Sequence, residues 1–76
     1  MTIDQIRTLY QTVPFKPFVM HLADGRQIPV VHHDFIMSSP NGQTLIVYQP
    51  DNSFNIVDTF LVTALEMKAD GQRSSG

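Results

Sequence analysis

Apolar residues recur along this chain with two different periods, and the change from one to the other falls at Pro14. Ile3, Ile6, Leu9, Tyr10 and Val13 keep helical spacing, with Asp4, Gln5, Arg7, Thr8 and Gln11 on the other side. That spacing predicts an amphipathic helix over 3–12. Thr2 and Gln5 form a capping-box pair, and Asp4 sits where the helix dipole favours an anion. Pro14 ends the helix, because the residue before a proline is pushed out of the α region. The single apolar stripe has to lie on something, most simply the open side of a sheet.

Beyond Pro14 short apolar runs alternate with three corners: Ala23-Asp24-Gly25, Pro40-Asn41-Gly42 and Pro50-Asp51-Asn52. Each reads as a type I turn followed by a residue that tolerates φ > 0, the common three-residue hairpin connection. Pro17 cannot donate to a ladder, so 15–18 leads extended into the first strand. A three-residue first loop sets Leu22 against Arg26, Met20 against Ile28 and Phe18 against Val30, with His21 and Gln27 on the other face. The same counting sets Met37 against Leu45 and Ile36 against Ile46, then Tyr48 against Phe54 and Ile46 against Ile56. His32-His33-Asp34 reads as a bend or bulge and Val57-Asp58-Thr59 as a tight turn, with a last strand over 61–67. Leu45-Ile46-Val47-Tyr48 is apolar on both faces, as in a wall covered outside by the helix or a partner.

The expected fold is mainly β with one N-terminal helix: a small, strongly bent antiparallel β-barrel, a meander of about five strands over 18–67. A single domain covers 1–68, and 69–76, polar with two glycines and two serines, is expected to be a flexible tail.

Composition narrows the function classes. A chain of 76 residues buries about 60% of its unfolded surface, which leaves a lone core marginal. With no cysteine, disulfides and zinc–thiolate sites are closed, and self-association is the remaining usual source of stability. Five basic against seven acidic residues give net −2. Arg7, Lys16, Arg26, Lys68 and Arg73 are scattered, which argues against a dedicated phosphate-backbone binder. No apolar run nears the roughly 18 residues of a spanning helix, and no basic segment and apolar stretch open the chain. A cytoplasmic location with no membrane partner is expected.

A short helix followed by about five bent strands resembles the Sm-like, or SH3-like, small β-barrel. Residues 18–25, Phe-Val-Met-His-Leu-Ala-Asp-Gly, are similar to its first strand and loop. Residues 56–65, Ile-Val-Asp-Thr-Phe-Leu-Val-Thr-Ala-Leu, are similar to the short turn feeding its final strand. The chain also resembles a group of short uncharacterised bacterial proteins through Pro-Phe-x-Pro-Phe at 14–18 and His-Leu-Ala-Asp-Gly at 21–25. The Sm resemblance implies ring or dimer formation through strand edges, and RNA contact at the turn before the last strand. Family members carry Arg-Gly-Asn or a Tyr-Lys-His cluster at that turn, whereas this chain has Val57-Asp58-Thr59, without cation or aromatic platform.

Candidate chemistry is sparse. His32-His33-Asp34 with His21 is the constellation of metal-ligand type. Adjacent histidines on an extended chain point to opposite faces, so at most one of them would join His21. A solvated polar bend accounts for them, and no metal, cofactor or catalytic residue is assigned. Asp24, Asp51 and Asp58 fall in turns, where aspartate bonds to nearby backbone amides. His21, His32, Tyr48 and Phe54 are the candidate ligand-facing residues, Tyr48 and Phe54 as a stacking pair. Val19, Val31, Ile36, Ile46 and Val62 occupy the predicted outer positions and form the expected interaction surface. The reading is a non-enzymatic, self-associating interaction module that docks a protein partner. Its rivals are an Sm-like RNA-binding ring and an accessory subunit holding metal through His21 with His32 or His33.

Overall fold

The computed structural model describes residues 1–67, and the expected tail at 69–76 lies outside them. One helix, α1 (Ile3–Gln11), precedes six short strands: β1 (Phe18–Leu22), β2 (Gln27–Val30), β3 (Ile36–Ser38), β4 (Thr44–Tyr48), β5 (Phe54–Asp58) and β6 (Val62–Met67). They form two three-stranded antiparallel sheets, ordered β2-β1-β6 and β3-β4-β5. The expected barrel wall is therefore divided into two ladders. A 3₁₀ turn at each junction makes the division, His33–Phe35 between β2 and β3 and Thr59–Leu61 between β5 and β6.

α1 begins as its sequence dictates: the Thr2 side chain accepts from the Gln5 amide, and the Gln5 side chain answers to the Thr2 amide. Ile6 is fully buried, and Ile3, Leu9 and Tyr10 pack on the core beside it. Burying a side chain such as Ile6 contributes about 1.5–3 kcal/mol. Arg7 Nη2 and the Tyr10 hydroxyl reach Ser38 Oγ at 3.3 and 3.4 Å, fixing the helix against β3. Val13 falls outside the stripe at 92% exposed, because the helix stops at Gln11 and the cap Thr12 is already extended. The Val13–Pro14 peptide is cis.

The first and third corners have the expected loop length. Gly25 N donates to Leu22 O and Leu22 N to Arg26 O, while Asn52 N donates to Gln49 O and Gln49 N to Ser53 O. Gly25 and Asn52 hold φ of 93° and 72°. Met20 faces Ile28, Phe18 faces Val30, Tyr48 faces Phe54 and Ile46 faces Ile56 as predicted. The middle corner differs. Gly42 N donates to Ser39 O, but the flanking ladder bond is Ser39 N to Thr44 O, so the loop is 40–43 and one residue longer. Ile36 then opposes Val47 and Met37 opposes Ile46, a one-residue shift from the expected pairing. The shift puts Ile36 inside with Val47 and turns Met37 outward. A slip of one residue exchanges the faces of a strand, and the register that buries the branched residues wins.

β6 contains a second parity change. A bulge sets Leu22 against Val62 but His21 against Ala64, leaving Thr63 as the extra residue. Val62 and Leu65 thus both turn inward, opposite Leu22 and Met20. The expected turn 57–59 lies two residues later, at Thr59–Leu61: Val57 is a buried strand residue, and Asp58 caps the 3₁₀ turn by accepting from the Phe60 amide. Inside that corner, the buried Thr59 hydroxyl meets the carbonyls of Gly42 and Gln43 at 3.0 and 3.2 Å.

Gly25 and Gly42 share a left-handed backbone but not their surroundings. A Cβ at Gly25 meets nothing within 4 Å, whereas at Gly42 it would sit 2.8 Å from Ile3 Cγ2. Gly25→Val is expected to cost about 1–3 kcal/mol through backbone strain alone. Gly42→Ala is expected to cost more than Gly25→Ala, because the helix must also give way. Urea unfolding of the two alanine variants checks this; equal losses would mean that α1 does not press on the turn.

Candidate functional site

The expected interaction surface is partly inside the molecule. Ile36 (6% exposed) and Val62 (1%) belong to the core, for the two parity changes just described. Val19 and Ile46 are half-buried, and Val31 is exposed at the end of β2.

A different apolar surface takes their place on the outer face of β3-β4-β5. Met37, Ile46 and Ile56 lie side by side across the three strands, and Tyr48 and Phe54 form the next row. Met37, Tyr48, Phe54 and Ile56 are all exposed, Ile56 to 62%. The Tyr48 and Phe54 rings lie 5.6 Å apart and tilted by 46°, a favourable aromatic pairing. The stripe is bounded by Thr44 opposite Asp58. Phe60, 76% exposed on the second 3₁₀ turn, is a further exposed apolar residue.

The stripe ends at an open strand edge. β5 pairs with β4 alone among the described residues. Ladder bonds at Gln49–Ser53 and at Thr59–Gln43 fix the alternation. Every second residue between them bonds to β4, so the backbone groups of Phe54, Ile56 and Asp58 point away from the sheet. Such a row of free donors and acceptors is a template for another strand.

The histidines separate. His21 Nε2 lies 2.8 Å from Glu66 Oε1, on the outer face of β1-β6, a partner that only the strand register supplies. His32 and His33 are drawn together instead, with centroids 4.7 Å apart and planes within 27°. The expectation that they point to opposite faces fails because His33 opens a 3₁₀ turn. His32 caps that turn, Nδ1 accepting from the Asp34 amide at 3.2 Å. The His33 Nδ1 lies 3.0 Å from Asp34 Oδ1. Phe15 and Phe35 flank the rings, with Phe15 6.4 Å from His32 and 6.2 Å from His33, and Phe35 5.5 Å from His32. Beside them an open cleft of about 420 Å³ is lined by Tyr10, Gln11, Thr12, Val13, Phe15 and His33.

Cations among the described residues are few and mostly engaged. Arg7 pairs with Asp4 at 3.6 Å and Arg26 with Asp24 at 3.0 Å, which leaves Lys16 exposed. The turn aspartates do the structural work their positions imply. The Arg26 amide, with its guanidinium, holds the Asp24 carboxyl below its usual 3.8. The Ser53 hydroxyl and amide do the same for Asp51. Among the described residues no helix is long and apolar enough to cross a membrane.

A lowered carboxylate pKa contributes stability that is complete above the unfolded value and is lost as pH falls through the folded one. Asp51→Asn keeps an acceptor oxygen but cannot ionise. Its melting temperature is therefore expected to fall less steeply than that of the parent between about pH 5 and about pH 2. Thermal melts across that range decide it; identical slopes would remove Asp51 from the acid response. No protein family, curated protein or solved structure matches this chain.

Proposed function

We propose that the protein is a non-enzymatic interaction module that associates with a second copy of itself through the free edge of β5. The observation that carries this reading is the junction of that edge with the outward stripe of the exposed Met37, Tyr48, Phe54 and Ile56 around the half-buried Ile46. The edge is self-complementary. Antiparallel pairing centred on Ile56 sets Ile56 against its counterpart and Phe54 against Asp58, using the outward backbone groups of all three. It would join two three-stranded sheets into one and extend the apolar face across the seam. A 76-residue, cysteine-free core gains stability from such an assembly. A protein partner docking on the extended face and a cytoplasmic setting complete the proposal.

The Sm-like barrel is the architecture we infer for each copy. It is supported by β1 pairing with both β2 and the last strand, and by the 3₁₀ turn that feeds that strand. The second functional reading, an RNA-binding ring, draws on one observation, the exposed Tyr48–Phe54 pair, which offers faces for stacking bases. The engagement of Arg7 and Arg26 with aspartates weighs against it.

Light scattering of the untagged protein on a sizing column, with the 260/280 nm absorbance ratio, separates these readings. A nucleic-acid-free dimer that survives high salt is expected. Ile56→Lys, at an exposed position, is expected to give monomers whose melting temperature in isolation is that of a folded domain. A parent protein that stays monomeric at every concentration would refute self-association. A hexamer or heptamer with raised 260 nm absorbance, dissociating with salt, would establish the RNA reading instead.

A further inference from the structure

We propose that His32, His33 and Asp34 form a surface site for a divalent transition-metal ion of the zinc, copper or nickel class. The three residues each present a donor atom within 4.8 Å of the other two. Asp34 is the centre of the group: its Oδ1 lies 3.0 Å from His33 Nδ1 and its Oδ2 3.8 Å from His32 Nδ1. Zinc bonds to nitrogen and oxygen are about 2.0–2.2 Å, which sets tetrahedral donors about 3.3 Å apart. The carboxylate–imidazole separations straddle that value, so small rotations of exposed side chains close the site. Two imidazoles with one carboxylate suit these ions and not calcium or magnesium, which take oxygen.

The backbone prepares the arrangement. His32 is extended and His33 begins a 3₁₀ turn, which stacks rings that a strand would have sent apart. Phe15 lies beside both rings and Phe35 beside that of His32, limiting the rotamer freedom that a metal would otherwise have to freeze. Binding trades the 3.2 Å bond from the Asp34 amide to His32 Nδ1 for a metal bond at the same nitrogen. The remaining coordination positions face solvent, since all three residues are exposed. His21 takes no part, being engaged with Glu66. The ion is bound by one chain, and the site does not depend on the pairing of β5.

The test is titration of the full chain with zinc chloride in a non-chelating buffer near pH 7.5, followed by calorimetry and by the histidine ring resonances. One zinc per chain is expected, with the His32 and His33 signals moving and those of His21 unchanged. His33→Ala and Asp34→Asn are expected to weaken binding at least 10-fold, and His21→Ala to leave it intact. Amide spectra of the apo variants establish that each is folded; should one fail, the ring signals of the parent protein decide alone. No saturation by about 1 mM zinc, a shift of the His21 signals, or one zinc per two chains would overturn the single-chain site.

Discussion

A strand has one inward face, and the need to keep the branched residues on that face governs every corner of this molecule. Side chains alternate with a period of two, so a single added residue reverses everything beyond it. Two residues are added here, Gln43 in the loop between β3 and β4 and Thr63 in the bulge of β6. The first brings Ile36 inward opposite Val47, and the second lets Val62 and Leu65 share a face. Without either, one edge of the core would be replaced by Met37 or Thr63.

The first of these parity changes is held from outside its own hairpin. The Thr59 hydroxyl ties the corner between β5 and β6 to the carbonyls of Gly42 and Gln43 in the longer loop. Ile3 of α1 stands against Gly42 from the other side, in the space a Cβ would need. A buried hydroxyl left without its acceptors would cost about 1–3 kcal/mol, so loop length, turn and helix position constrain one another. The core made by Ile6, Phe18, Met20, Leu45, Val47 and Val57 is sealed by this junction.

What the packing leaves uncovered follows from the same alternation. Turning Ile36, Leu45, Val47 and Val57 inward obliges Met37, Ile46, Tyr48, Phe54 and Ile56 to face outward. The single helix covers the opposite side, so the stripe has no cover within the described chain. Exposed apolar rows beside an open edge are a liability that a monomer would blunt with charge or proline, and β5 carries neither between Phe54 and Val57. The self-association proposed above would resolve that conflict between a well-filled core and an apolar exterior.

The helix, its capping box, the three turn residues and the pairings of β1 with β2 and of β4 with β5 were legible in the sequence. All are local: they depend on residues a few positions apart, on φ restrictions and on alternation within one hairpin. The division into two sheets, the bulge at Thr63 and the burial of Ile36 and Val62 were not, since each depends on the fit between segments distant in the chain. The candidate site divides in the same way. Sequence spacing named Tyr48 with Phe54 and the His32-His33-Asp34 run. Only the tertiary structure decided that Met37 and Ile56 complete the apolar stripe, that Glu66 takes His21, and that a 3₁₀ turn stacks the other two histidines. Local propensity fixes where a chain bends, but which face is buried is settled by the whole core at once.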